Sequence, residues 1–132
     1  MEDIRKEIVI AASMQTVWEA LCTSEGLASW LMPNDFRPLV GARFRFETGP
    51  DCNMPRYVES EVIAIDKPRR IAFTWSVGGR SEPTLVTIEL RELVDGTRVT
   101  LTHTGWAEEE LRSQHDSGWN EKLAALNLCL DG

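Results

Sequence analysis

Two histidines, three cysteines and a short Glu-Ser-Glu run are the groups in this chain whose chemistry reaches beyond packing. His103 stands in the run Arg98-Val99-Thr100-Leu101-Thr102-His103-Thr104. In a strand, Val99, Leu101 and His103 share one face, so the imidazole has apolar neighbours. Histidine changes charge near neutral pH and can act as acid, base or polar contact to a ligand. A hydrogen-bonded structural histidine is the plainer reading and comes first. His115, beside Asp116, reads as a solvated residue at a helix start. Glu59, Ser60 or Glu61 could place a polar group in an interior, but adjacent apolar Val62 and Ile63 leave the inward face of that strand undecided.

Other chemistries find no support. Cys22, Cys52 and Cys129 are odd in number and widely spaced, which gives neither a disulfide framework nor a metal signature. Cys22 and Cys129 sit in helical patterns as small apolar residues, while Cys52, in a loop, is the one open to reaction. His103 and His115 stand in no HxxxH setting, so no metal and no cofactor are expected. There is no G-x-S-x-G run, and no catalytic residue is assigned. Gly78-Gly79-Arg80 reads as a hairpin loop rather than a phosphate cradle, because no helix follows it. A net charge of -7 argues against nucleic acid and anionic membrane surfaces as partners. No window approaches the ~20 apolar residues of a membrane span. The acidic start Met1-Glu2-Asp3 is unlike a signal peptide, so a cytoplasmic protein without membrane insertion is expected.

The elements that must position these groups follow from periodicity. The 132 residues, 42% apolar and 27% charged, suit one domain over 1–132 with a real core. A first strand is expected over 4–11. Ser13 caps a short helix over 14–22, and Thr23-Ser24 caps a second over 25–32 that Pro33 stops. After an irregular stretch at 35–40, strands are expected over 43–47, 57–66, 71–75, 84–92 and 98–104. Turn-rich segments join them at 49–55, 67–70 and 76–83, and Asp95-Gly96 makes a tight hairpin. An acidic helical piece over 107–113 precedes a long helix from about 115 to 130, where Trp119, Leu123, Leu126 and Leu130 form one stripe. Gly118 inside that helix marks a close approach to the sheet or a bend. The stripe would face Phe44, Phe46, Ile71, Phe73, Trp75, Val86, Ile88, Leu90, Val99, Leu101 and His103 across a curved sheet.

That order resembles the helix-grip fold of the START/Bet v-like (SRPBCC) superfamily. Val17-Trp18-Glu19-Ala20-Leu21 with Glu25-Gly26-Leu27-Ala28-Ser29-Trp30 and Pro33 resembles the branch related to the activator of heat-shock-protein-90 ATPase, in its C-terminal-type domain. So do Val62-Ile63-Ala64-Ile65-Asp66-Lys67-Pro68-Arg69-Arg70-Ile71 leading into Phe73-Thr74-Trp75, Val86-Thr87-Ile88-Glu89-Leu90, the run from Asp95 to Gly105, and Gly118-Trp119 with Leu123 and Leu126. The fold this resemblance implies is α+β: a curved antiparallel sheet of about six or seven strands, two short helices and a long C-terminal helix.

Fold alone does not fix function, so three readings stand. The first, by resemblance, is binding of a hydrophobic or aromatic small molecule, lipid-like or polyketide-like, in a cavity between sheet and long helix. Its lining would be Trp30, Phe44, Phe46, Phe73, Trp75, Val86, Ile88, Leu101, His103, Trp119 and Leu123. The second is a co-chaperone-like contact with a protein partner, tied to stress response, or a homodimer; Leu128, opposite the stripe, would be an interface residue. The third is a polyketide cyclase- or hydrolase-like enzyme, which needs an acid/base pair that only His103 begins to supply.

Overall fold

The computed structural model describes residues 2–47, 57–78 and 83–131. The expected loop at 49–55 with Cys52, and Gly79-Arg80, lie outside the described residues. Along the chain come β1 (Ile4–Ile10), α1 (Met14–Leu21), α2 (Ser24–Trp30), β2 (Arg43–Glu47), β3 (Tyr57–Asp66), β4 (Arg70–Val77), β5 (Thr84–Leu93), β6 (Gly96–Thr104) and α3 (Glu109–Asp131). Among the described residues the strands form one antiparallel sheet in the order β1-β6-β5-β4-β3-β2. β1 and β2 are consecutive along the chain yet form opposite edges, and α1 and α2 carry the chain between them. The long helix closes the inner face, which makes this an α+β, helix-grip fold. No described helix is long and apolar enough to cross a membrane.

Local chemistry fixes the two short helices. Ser13 Oγ accepts from the Thr16 amide at 3.2 Å, and Thr23 Oγ1 accepts from the Gly26 amide at 2.9 Å while donating to the Glu19 carbonyl at 2.7 Å. These caps satisfy first-turn donors that the helices cannot satisfy themselves. Helices this short are held by burial, here of Val17, Trp18, Ala20 and Leu21 and of Leu27 and Trp30. α1 and α2 meet at Gly26, where a methyl group would overlap the Glu19 carbonyl oxygen and lie 2.7 Å from Ala20 Cα. Gly26→Ala should therefore destabilise the protein by about 1–3 kcal/mol. The measurement is a lower urea midpoint; a wild-type midpoint would mean that the helices part freely.

β3 resolves the ambiguity of its own sequence. Its pairing with β4 runs Val58↔Val77, Glu59↔Ser76 and Val62↔Phe73, then slips to Ala64↔Ala72. This bulge uses one extra residue, so Val62 stays in the core while Ile63 turns out to 43% exposure. Ser60 consequently faces inward. Glu59 and Glu61 face outward, where they meet Arg45 at 2.8 Å and Arg43 at 3.6 Å. Pairs this exposed contribute little to stability.

The C-terminal helix corrects two expectations. It is one helix from Glu109, with no break near residue 114. Arg112 grips Glu109 through two bonds of 2.7 and 2.9 Å, and Lys6 of β1 reaches Asp116 at 2.9 Å, so the acidic piece is continued rather than ended. Gly118 does not serve a close approach, because a methyl group there would meet nothing within 4 Å. Gly118→Ala should stabilise the protein by about 0.5–1 kcal/mol, raising Tm by roughly 3 °C. A Tm that stays level or falls would show that the position needs glycine's backbone freedom.

Candidate functional site

The inner face of the sheet is lined with rings. Alternation in β2 turns Phe44 and Phe46 inward, and β4 does the same for Phe73 and Trp75. Ring centroids lie 5.2 Å apart for Phe44–Phe46, 5.9 Å for Phe46–Phe73 and 5.4 Å for Phe46–Trp75. Phe36 extends the row with an edge-on contact to Phe44 at 5.1 Å, and Trp119 of α3 extends it from Trp75 at 5.3 Å. These are favourable aromatic separations, with most pairs inclined rather than stacked. The backbone of α3 comes close to β1, α1 and α2. It reaches the middle of the sheet through Trp119 and His115, which touch β6 and β4. Large side chains thus span the wedge between helix and sheet.

His103 is fully buried at the centre of this wedge. Trp119 Nε1 donates to its Nδ1 at 2.9 Å, and its Nε2 lies 2.6 Å from Thr84 Oγ1. The Thr84 hydroxyl donates to the Trp75 carbonyl at 3.0 Å, so it must accept from His103 Nε2. The network therefore fixes a neutral imidazole protonated on Nε2. A second proton would oppose Nδ1–H to the Trp119 N–H. Burial above all, and the nearby His115 ring, push the His103 imidazole down to about 3 from its ordinary 6.5.

His115 is not the solvated residue its sequence suggests. It lies within α3 and is half-buried, and its Nε2 accepts from Trp75 Nε1 at 3.0 Å. Its Nδ1 donates to the Leu111 carbonyl at 2.9 Å, which fixes the opposite tautomer. Desolvation lowers its pKa, with the bond to the Leu111 carbonyl opposing. Trp106 lies against both imidazoles, 4.2 Å from His103 and 4.9 Å from His115, and donates to the His103 carbonyl at 2.9 Å. The indole N–H groups of Trp75, Trp106 and Trp119 are all committed inside the cluster, so these three residues present ring faces rather than donors.

The expected lining residues are all buried. Phe44, Phe46, Phe73, Trp75, His103 and Trp119 form the wall, while Val86, Ile88 and Leu101 are fully buried beside it. Leu123 faces a groove of about 440 Å³ between α3 and β1, shared with Lys6, Ile8 and Asn120. Trp30 belongs to the same buried hydrophobic cluster, and its Nε1 donates to the Ala20 carbonyl at 2.8 Å, which ties α2 to α1. Among the described residues these rings and aliphatic side chains form one buried hydrophobic cluster. The sequence reading missed Phe36 and Trp106. The Asn34 side chain organises the first by accepting from the Phe36 amide at 2.9 Å, an Asx turn that Asn-Asp-Phe could have signalled. Gly105, with φ +91°, turns the chain ahead of Trp106. Among the other groups, Cys22 is buried, which raises its thiol pKa, and Cys129 is exposed.

Comparison with known proteins agrees with this geometry. No curated protein matches the chain. Among solved structures it is similar to protein BH1534 of Bacillus halodurans, with 30% identity and a TM-score of 0.82 over 98% of this chain and 97% of that one. It is similar to Aha1 of Colwellia psychrerythraea, solved as a dimer, with 22% identity and a TM-score of 0.86 over 99% of this chain and 97% of that one. DynU16, from the dynemicin biosynthetic locus, shares 21% identity and a TM-score of 0.88 over 99% of this chain and 48% of that one. The family described as activator of Hsp90 ATPase homolog 1-like protein matches residues 11–131. This chain belongs to that family, within the START/Bet v-like (SRPBCC) superfamily.

Proposed function

We propose that this protein binds an apolar or aromatic small molecule, lipid-like or polyketide-like, in the wedge between the sheet and α3. The observation that carries this reading is the ring row from Phe36 to Trp119, which spans a gap that the helix backbone leaves open. Such a wall offers a flat ligand faces on which to stack, as apolar binding sites do. A relative of the same fold comes from the dynemicin biosynthetic locus, which favours the same reading. Entry would part Trp75, Trp106 and His115 near the start of α3, where His115 is only half-buried. Neither nitrogen of His103 is free, so that residue shapes the wall rather than reacting. Thermal denaturation with fatty acids and planar aromatic compounds tests the proposal. A ligand at a hundred times its Kd adds about 2.7 kcal/mol of stability, which moves Tm by roughly 10 °C. A panel that shifts nothing would leave the wall as a solid core.

Contact with a protein partner or a second copy is the next reading. Leu128 is 79% exposed on the outer side of α3, and the Colwellia relative is a dimer. Light scattering over a range of concentrations tests self-association; a constant monomer mass counts against the dimer.

A further inference from the structure

Among the described residues three polar side chains are buried: Ser60, Thr97 and His103. Thr97 donates to the Ala12 carbonyl at 2.8 Å, and both nitrogens of His103 are committed. Ser60 is different: its hydroxyl has no hydrogen-bond partner. A buried hydroxyl left unpaired is unfavourable and uncommon in folded proteins. Its position is informative. Ser60 pairs with Phe44 on β2. On the other side, the pairs Glu59↔Ser76 and Val62↔Phe73 place it opposite Trp75 of β4. The unpaired hydroxyl therefore sits between two rings of the wall, on the inner face.

We infer that Ser60 is the polar anchor of the wedge, hydrogen-bonding a neutral oxygen, phenolic or ring carbonyl, of a planar aromatic ligand stacked along Phe44 and Trp75. This rests on the reading of the wedge as a binding site and adds the oxygen the ligand must carry and its location. A neutral oxygen fits better than an anion. Arg43 and Arg45 of β2 point outward to Glu61 and Glu59, so a carboxylate or phosphate beside Ser60 would be buried without a cation. Thr84, on the far side of Trp75, already donates to the Trp75 carbonyl and accepts from His103.

Equilibrium dialysis against 2-naphthol and 2-methylnaphthalene tests this, because the two differ by a hydroxyl in place of a methyl. The wild type should hold 2-naphthol about tenfold more tightly. In Ser60→Ala that preference should vanish, with affinity for 2-methylnaphthalene unchanged. The free variant should melt no lower than the wild type, since no protein partner is lost. Equal binding of the two probes by the wild type, or a preference that survives in Ser60→Ala, overturns the role of Ser60 and leaves the wedge standing as a binding site. Failure of both probes to bind the wild type overturns the wedge as a binding site and the anchor together. A marked loss of Tm in free Ser60→Ala would give the hydroxyl a structural partner and also overturn the inference.

Discussion

His103→Ala should lower the stability of the folded protein by about 3–5 kcal/mol, a fall in Tm of roughly 10–18 °C. Two losses combine. The imidazole has no exposed surface and contacts the rings of Trp75, Trp106 and Trp119, so its removal leaves a cavity among groups that cannot all close in. The buried Trp119 N–H also loses its partner, and the Thr84 hydroxyl keeps only its bond to the Trp75 carbonyl. A domain with only ~5–15 kcal/mol of stability would become marginal. Trp119→Phe separates the contributions, because it removes the donor and keeps an aromatic ring. In a double-mutant cycle, the coupling between the two substitutions should be about 1 kcal/mol. A His103→Ala variant melting within roughly 3 °C of wild type would show that the imidazole is not built into the core.

Acidification should destabilise the protein well before its carboxylates protonate. His103 has its folded pKa pushed down to about 3 by burial, against 6.5 when free. Its neutral form therefore stabilises the fold fully above 6.5. That contribution is lost as pH falls from 6.5 towards 3, because the unfolded chain takes up a proton that the folded chain refuses. The slope approaches about 1.4 kcal/mol per pH unit for one such group. From pH 7.5 to 5 the loss from His103 is about 2 kcal/mol. His115, also lowered by burial, adds in the same direction. These are the chain's two histidines, and carboxylates stay largely ionised over this interval. Urea midpoints across it read the effect directly. His103→Ala should flatten the dependence by the share of one proton; a flat wild-type profile would mean that His103 protonates within the folded state, against the geometry of its two bonds.

The same two residues show how far the sequence could be read. The inward face of β6 was legible, because Val99, Leu101 and His103 repeat every second residue and that period belongs to the strand itself. The strands carrying Phe44, Phe46, Phe73 and Trp75, the capped short helices and the stripe of α3 were legible for the same reason: pattern and capping are local. The position of His115 was not. Its surroundings in sequence are polar, and its burial comes from Trp75, forty positions away along the chain. The inward turn of Ser60 was hidden by a bulge between β3 and β4, which shows only in the pairing of two strands. Trp106 and Phe36 joined the cluster through turns that bring distant rings together.

By itself, then, the sequence determined the elements, the alternation of inner and outer faces, and the resemblance that placed an α+β grip around a ring-lined face. Only the tertiary structure decided which imidazole nitrogens are occupied, that the Trp30 indole ties α2 to α1, and that one hydroxyl inside the wall is unpaired. The reason is physical. Periodicity is set by the backbone geometry of single elements, whereas hydrogen-bond satisfaction and ring contact depend on groups that the chain brings together from afar.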